Sequence, residues 1–213
     1  MVNDHCPYAG NAFCASLPSE TRGLLCEHCH IRTYPKGMLF PQSKWKDRFA
    51  ILAQGLMALG QFDQPERPSS CQTTGIACNG TLLSVGPLYS EANLSYSMFF
   101  EMCNEEENWE NICIEECHVA TFDSETIRAL YRSDIGFVQN LFWASTCTCA
   151  YEGELFMQAQ TSAYSSVKYV LDFCRRNQVP ELTHAQIALI CNRARPVVTN
   201  EIHAILQQES QPE

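Results

Sequence analysis

The hydrophobic rhythm of the chain changes near residue 122, and this change limits the possible folds more than any other feature. Before it, short apolar runs alternate with turn residues, at positions 38–40, 49–52 and 81–85. Runs of this length bounded by turns predict strands of an antiparallel sheet. After it, Gly136 and Gly153 are the last glycines, and apolar residues recur at helical spacing. The sequence therefore predicts an α+β protein with a strand-rich first part and a helical second part.

The helical part begins with a long segment in which Ile135, Val138 and Phe142 fall on one face. This spacing predicts one helix from about Arg132 to Thr161. Gly153 is its weakest point, because an interior glycine costs about 1 kcal/mol relative to alanine. Shorter helices are expected to follow it.

The C-terminal segment predicts two helices that meet at a sharp turn. Thr183 and Gln186 have the spacing of a capping box, which opens the first helix. Asn192 tolerates the left-handed conformation of a tight corner, and Pro196 suits the first turn of a second helix that starts around Arg195. The buried stripe of that second helix is predicted to contain Val198, Ile202, Ile205 and Leu206. This is the pattern of a helix-turn-helix, although two-helix corners are also common in ordinary helical proteins.

The outer face of the second helix carries side chains that can bind DNA. Arg195, Thr199, Asn200 and His203 can form hydrogen bonds with base edges, and Arg193 can meet a phosphate. The formal net charge of −10 does not exclude such a face, because residues 61–120 hold ten acidic side chains and one basic one. A local DNA-facing surface therefore remains possible elsewhere on the chain.

The order of strand-rich domain, long helix and helix-turn-helix resembles the Crp/Fnr family of bacterial transcription regulators. The resemblance runs from about Leu17 to Leu206 and rests on segments 16–20, 34–40 with Gly37, 49–59 with Gly55, 82–91 and 182–206. It implies an N-terminal jelly-roll-like β domain, a long dimerisation helix and a C-terminal helix-turn-helix domain. Seven residues follow Leu206, so a full β-hairpin wing is not expected.

The resemblance divides the chain into four parts: 1–30, a cysteine-rich segment with an opening helix; 31–122, a cyclic-nucleotide-binding-like effector domain; 123–161, a linker and dimerisation helix; and 162–213, the DNA-binding domain. It implies double-stranded DNA, a second copy of the chain, a small-molecule effector and RNA polymerase as partners. Pro196 and Thr199-Asn200 replace residues with which the family often reads bases, so a different sequence specificity is expected.

The segment that resembles the family's effector pocket contains Gly86, Tyr89, Ser90 and Glu91. Ser90 stands where cyclic-nucleotide-binding members have glycine, and no arginine follows Glu91 before an acidic stretch. A phosphate in a pocket needs a cation or an array of amide donors. Cyclic AMP is therefore not the expected effector, and the pocket residues are predicted to serve another small molecule.

The N-terminal segment contains four of the chain's thirteen cysteines, Cys6, Cys14, Cys26 and Cys29. Four thiolates so close in sequence can hold zinc or an iron–sulfur cluster, with an additional central ligand implied by the resemblance at Cys103, Cys113 or Cys117. They can also form a reversible thiol–disulfide switch, or they can simply be buried apolar residues. The spacing does not choose among these alternatives.

The sequence thus favours a homodimeric DNA-binding regulator that responds to a small molecule or to redox state. The alternative is a metal- or iron–sulfur-binding sensor or structural protein that has lost DNA binding. An enzyme is not expected, since phosphate-loop, zinc-protease and nucleophile-elbow motifs are missing from the sequence. No apolar run approaches the roughly 18 residues of a membrane span, and the first thirty residues do not read as a secretory signal. A cytoplasmic location is therefore expected.

Overall fold

A computed structural model describes residues 6–8, 10–45, 47–62, 66–67, 71–88 and 110–210. The helices in these residues are α1 (Ala12–Ala15), α2 (Ser19–Glu27), α3 (Ser124–Ser133), α4 (Ile135–Thr161), α5 (Ala163–Arg176), α6 (His184–Ile190) and α7 (Arg195–Glu209). The strands are β1 (Cys29–Tyr34), β2 (Leu39–Pro41), β3 (Phe49–Gln54), β4 (Met57–Gln61), β5 (Gln72–Ala77), β6 (Leu82–Val85), β7 (Glu110–Cys113) and β8 (Cys117–Phe122). The predicted α+β class, with strands before residue 122 and helices after it, is confirmed. Among the described helices, none combines the length and the apolar character that crossing a bilayer requires.

The chain divides into two compact units. One unit comprises Met1–Met57 and Ala77–Cys149, and the other comprises Ala58–Ile76 and Ala150–Glu213. The second unit therefore joins most of strands β4 and β5, which are hydrogen-bonded neighbours, with the C-terminal helices. The four-part division made from the sequence stays a prediction.

The first unit is built around strand β8, which lies between β1 and β3 in a sheet of order β1-β8-β3-β6. Successive side chains of a strand point to opposite faces. Ala120 and Phe122 pack in one buried cluster with Phe13 and Phe49. The alternate residues of β8 enter a second buried cluster that contains Cys117, Val119, Tyr34, Phe40 and Trp45. Strand β2 pairs with β7 in the same unit, also antiparallel.

Gly55 is needed where the chain turns from β3 to β4. Its φ is 111°, a conformation that side-chain-bearing residues rarely adopt. A Cβ at this position would lie 2.5 Å from the Glu116 carbonyl oxygen and 2.9 Å from the Cys117 Cα. Gly37 also has a positive φ, 79°, but a Cβ there would meet nothing within 4 Å. The two glycines in the resemblance thus have different physical requirements.

The long helix is present but starts later than predicted. Residues 124–133 form the separate helix α3, and α4 begins at Ile135 rather than near Arg132. The break falls at Asp134, whose backbone is extended and whose carboxylate accepts a hydrogen bond from the Phe137 amide at 3.0 Å. Asp134 therefore ends one helix and caps the next. Gly153 lies inside α4 without interrupting it.

The helix-turn-helix signals are confirmed in the second unit. Thr183 and Gln186 form both hydrogen bonds of a capping box at the start of α6. Asn192 has a φ of 54°, and α7 begins at Arg195 with Pro196 in its first turn. The predicted stripe was wrong at Leu206, which is 48% exposed, whereas Val198, Ile202 and Ile205 are buried. At about 100° per residue, Leu206 lies at the edge of the stripe that the other three define.

The two glycines give a matched test of this fold. Gly55→Ala should destabilise the protein by more than about 2 kcal/mol, because it combines an unfavourable φ with contacts to backbone atoms that cannot move away. Gly37→Ala should cost only the conformational part, roughly 1 kcal/mol. Urea unfolding measures both free energies, and equal losses would contradict the close approach at Gly55.

Candidate functional site

The outer face of helix α7 is accessible, as a DNA-reading helix requires. Arg195, Asn200 and His203 are exposed. Thr199 is half-buried, and its hydroxyl oxygen lies 2.9 Å from Nδ1 of His184 at the start of α6. Arg195, Thr199 and His203 follow one another at intervals of four residues along α7, and Asn200 lies further round the helix. Thr199 is engaged by a histidine that the sequence did not single out. The role of these four predicted residues in binding DNA stays a prediction.

Helix α7 is held against α5 by polar contacts near its C-terminus. The Arg175 guanidinium donates to both carboxylate oxygens of Glu209, at 2.8 and 2.9 Å, and this partner lowers the pKa of Glu209. The Tyr164 hydroxyl donates to the side-chain oxygen of Gln208 at 2.6 Å. These contacts lie near the C-terminal end of α7, whereas Arg195 and Thr199 lie in its first two turns.

Arg193 is not free to meet a ligand in this arrangement. Its Nη2 donates to the Ala159 carbonyl oxygen at 2.8 Å, near the C-terminal end of α4. Its Nε is buried and has no hydrogen-bond partner. The last carbonyl groups of a helix lack partners within the helix, so a cation is favourable there. The predicted phosphate contact of this residue therefore needs a side-chain rearrangement.

The four N-terminal cysteines come together in the first unit. Cys6, Cys14, Cys26 and Cys29 line one cavity of about 280 Å³. Its remaining wall is mainly apolar and is formed with Leu25, Ile31, Ile51, Ala53, Ala120 and Phe122. Cys14 on α1 and Cys26 on α2 are thereby placed over one face of the sheet, close to Cys29 on its strand β1. The sequence indicated these four cysteines as a group because they are close along the chain. The cavity that they share could not be predicted from their spacing.

Three thiols of this cavity have raised pKa values. Burial raises the pKa of Cys14 to about 11 and that of Cys29 to about 12, and the neighbouring thiols add to both shifts. The pKa of Cys26 is also raised, by burial and then by Cys6, whose thiol is its hydrogen-bond partner. Thiolates, not thiols, are the nucleophiles and the metal ligands. These side chains therefore need an incoming group that favours deprotonation, or a rearrangement, before they react.

The donor set suits a soft metal, but the placement of the side chains does not. Sulfur ligands are typical of zinc and of iron–sulfur clusters. Within the described ranges, however, no group of three or more histidine, cysteine, aspartate or glutamate side chains is arranged to hold a metal ion. The four thiols share a cavity without forming a coordination site.

The central cysteines do not join this group. Cys113 and Cys117 are buried in the second cluster of the first unit, with their thiols hydrogen-bonded to each other. The alternation of β8 sends Cys117 to the opposite face of the sheet from Ala120 and Phe122, which line the cavity. The third alternative, Cys103, lies outside the described residues.

A polar contact beside the cavity was not predicted from the sequence. The Tyr8 hydroxyl, in the cavity wall, is hydrogen-bonded to Nδ1 of His118 on β8. Nε2 of His118 lies 3.2 Å from a carboxylate oxygen of Glu116. These contacts attach the N-terminal segment to the central strand. Tyr8 and His118 are 110 residues apart, so no short-range pattern could have shown the pair.

The predicted effector pocket is described only in part. Gly86 begins a short 3₁₀ turn, and its amide donates to the Ser84 hydroxyl oxygen at 3.1 Å. Tyr89, Ser90 and Glu91 lie outside the described residues. The effector role of these four residues stays a prediction.

Comparison with solved structures confirms the resemblance at the level of the fold. The chain is similar to a Crp/Fnr-family protein from Eubacterium rectale, with a TM-score of 0.55, 11% identity, and coverage of 92% of this chain and 87% of that one. It is similar to a cyclic nucleotide-binding domain containing protein from Listeria monocytogenes, with a TM-score of 0.60, 10% identity, and coverage of 86% and 85%. It is also similar to FixK2 from Bradyrhizobium japonicum, with a TM-score of 0.57, 11% identity, and coverage of 85% and 86%. No protein-family model and no curated protein sequence matches the chain.

The buried thiols predict a characteristic pH dependence of stability. An unfolded chain releases its thiol protons at a lower pH than the folded chain releases those of Cys14 and Cys29. The contribution of these thiols is therefore fully present below about pH 9 and is lost as pH rises towards 11 and 12. Replacing both cysteines by alanine should make the free energy of unfolding fall less steeply over that range.

Urea unfolding in reducing buffer at a series of alkaline pH values measures this slope. Cys147→Ala, on helix α4 and outside the cavity, controls for the loss of a thiol elsewhere. The comparison concerns slopes rather than absolute stabilities, because removing buried side chains also leaves space in the core. Wild-type and doubly substituted proteins with the same slope would contradict the buried placement of these thiols.

Proposed function

We propose that the protein is a DNA-binding transcriptional regulator of Crp/Fnr type. The observation that carries this proposal is the helix-turn-helix, with Val198, Ile202 and Ile205 buried on one side of α7, Asn200 exposed on the opposite side and Arg195 exposed as the first residue of the helix. A recognition helix needs this division, because its polar residues must enter a major groove while its apolar stripe holds it to the domain. The fold similarity supports the same function. The resemblance also implies RNA polymerase as a partner, and a cytoplasmic location is part of the same proposal.

A homodimer is part of this proposal. Helix α4 exposes large apolar side chains: Ile135 is 72% exposed, Phe142 74%, Trp143 65% and Met157 63%. Ile135 and Phe142 are seven residues apart, and Trp143 and Met157 are fourteen apart, which are the intervals of a coiled-coil seam. A second copy of the same helix is the occupant that suits a seam with this repeat. Pairing would place two α7 helices on one DNA duplex, about 34 Å apart in successive major grooves.

The thiol cavity is the proposed sensing site, through redox chemistry. Cys6 and Cys26 are hydrogen-bonded neighbours, whereas the described residues offer no arrangement suited to a metal ion. Joining the two sulfurs releases two protons and two electrons, which a disulfide oxidant of the glutathione type accepts by becoming two thiols. A new bond between the N-terminal segment and α2 would change the packing of the cavity wall. An effector that binds one arrangement better than another would act in the same way, by shifting populations.

DNA binding is tested by paired substitutions on α7. The double variant Arg195→Ala/Asn200→Ala should bind genomic fragments selected by the wild-type protein at least about tenfold more weakly, since each base contact contributes roughly 1–3 kcal/mol. Phe142→Glu, which introduces a charge into the α4 seam, should yield monomers and weaken binding as well. Fluorescence anisotropy at low salt and sedimentation analysis provide the two measurements.

Arg176→Ala is the matched control for charge, because Arg176 is exposed near the end of α5 and away from α7's outer face. Its affinity should stay close to that of the wild type. If the α7 double variant binds as tightly as this control, α7 is not the recognition helix. If the wild-type protein selects no fragments at low salt, the DNA-binding function is wrong.

Redox sensing is tested by oxidation with glutathione disulfide. Peptide mapping should then find a Cys6–Cys26 disulfide, and the affinity for selected DNA should change. Cys26→Ser should abolish both effects, while Cys147→Ser, a thiol substitution on α4, should preserve them. A Cys26→Ser protein that responds like the wild type would exclude this pair as the sensor.

The metal- or cluster-binding alternative rests on the four sulfurs that share one cavity. Anaerobic purification, followed by metal analysis and an absorbance spectrum, decides between the two. Stoichiometric zinc or iron that is lost on substitution of Cys14 and Cys29 would favour the alternative. A colourless, metal-free protein that forms the Cys6–Cys26 disulfide would favour the redox site.

A further inference from the structure

Within the second unit, the turn of the helix-turn-helix is hydrogen-bonded to strand β5. The Thr73 amide donates to Oδ1 of Asn192 at 2.7 Å, and Nδ2 of Asn192 donates to the Thr73 carbonyl oxygen at 3.0 Å. The Thr73 hydroxyl donates to the Leu189 carbonyl oxygen at 2.9 Å. We name these three hydrogen bonds the Thr73 clasp. Thr73 is 3% exposed, so water does not readily replace them.

The amide side chain of Asn192 is not needed for the turn itself. A φ of 54° is a conformation that glycine adopts at least as easily as asparagine. The side-chain amide of Asn192 forms hydrogen bonds with both the backbone amide and the backbone carbonyl group of Thr73. It thus pairs with this residue as the backbone of a neighbouring strand would. The asparagine therefore does two things: it forms the corner and it ties the corner to the β4–β5 hairpin.

The next residue, Arg193, is also hydrogen-bonded within the protein, but not all of its donors have partners. Its Nη2 donates to the Ala159 carbonyl oxygen, while its buried Nε has no partner. A phosphate can accept from Nε and Nη of one guanidinium together. Moving Arg193 from the helix end to a phosphate would therefore supply the hydrogen bond that Nε lacks.

We propose that the Thr73 clasp and the Arg193–Ala159 contact hold the helix-turn-helix in an autoinhibited arrangement that DNA binding must open. This inference rests on the proposed DNA-binding function. Recognition helices read bases with their N-terminal residues, and contacts to phosphates fix their position. Asn192 and Arg193 lie just before the N-terminus of α7, and the side chains of both are hydrogen-bonded to other parts of the chain. DNA then binds only the fraction of molecules in which these contacts are open.

The test uses two glycine substitutions, at Asn192 and Gln178, which are non-glycine residues that both have a φ of 54°. Asn192→Gly keeps the left-handed turn and removes both amide hydrogen bonds. Gln178→Gly makes the same change after α5, where the side chain is exposed, and serves as the matched control. Binding of a fluorescein-labelled duplex of mixed sequence at low salt suits the test, because phosphate contacts do not depend on sequence.

Asn192→Gly should bind this duplex about threefold to tenfold more tightly than the wild type, which is the shift expected from losing buried hydrogen bonds that favour the closed arrangement. Gln178→Gly should bind as the wild type does. Thr73→Val, which removes only the hydroxyl contact with Leu189, should shift the affinity in the same direction by a smaller factor. Hydrogen exchange should show that the Thr73 amide loses protection in Asn192→Gly and keeps it in Gln178→Gly.

The outcomes separate the clasp from the DNA-binding function. Unchanged or weaker duplex binding by Asn192→Gly, with protection of the Thr73 amide lost, overturns the autoinhibitory role. Protection that persists in Asn192→Gly overturns the clasp itself. If neither the wild type nor Asn192→Gly binds the duplex, the proposed DNA-binding function fails and the inhibitory role with it, while the exchange data still report whether the clasp forms.

Discussion

The alternation of side chains along β8 is the constraint on which the first unit depends. Because β8 lies between β1 and β3, both of its faces are covered, and its residues must serve two buried clusters at once. Ala120 and Phe122 face the cluster that borders the thiol cavity, whereas Cys117 and Val119 face the aromatic cluster. A shift of one residue in the pairing would exchange these faces. Gly55 allows the turn after β3 to pack directly against the backbone at Cys117, since only a residue without a Cβ fits there.

This alternation also decides which cysteines can act together. Cys6, Cys14 and Cys26 lie over one face of the sheet together with Cys29 on its strand β1, while Cys117 points the other way, towards Cys113. In the described part of the first unit, these six cysteines therefore form two separate groups. The N-terminal group adjoins a cavity and the Tyr8–His118 contact, which makes it the better candidate for a group that responds to its surroundings. The pKa values of Cys14 and Cys29, raised to about 11 and about 12, keep these two thiols neutral at rest, so a change in their state requires chemistry rather than a small change of pH.

Local signals in the sequence were sufficient for the fold class and for much of the helix-turn-helix. The capping box at Thr183, the left-handed Asn192 and Pro196 each describe the conformation of their own neighbourhood, so no tertiary information was needed. The long helix was predicted with the wrong start because Asp134 was not recognised as a cap. Three sets of contacts could not be predicted from the sequence. They are the hydrogen bonds of Asn192 with Thr73, the contact of Thr199 with His184, and the hydrogen bond of Arg193 with Ala159. Each depends on a segment that the fold brings from elsewhere in the chain.

The Thr73 clasp has a consequence for how the chain acquires its structure. Thr73 and Asn192 are 119 residues apart, so their pairing closes a long loop and costs more chain entropy than a local contact does. During synthesis, the β4–β5 hairpin leaves the ribosome long before the last two helices do. The helical pair must therefore find an edge that is already present. The corner at Asn192 can form early from local interactions, but its attachment should be among the final events of folding.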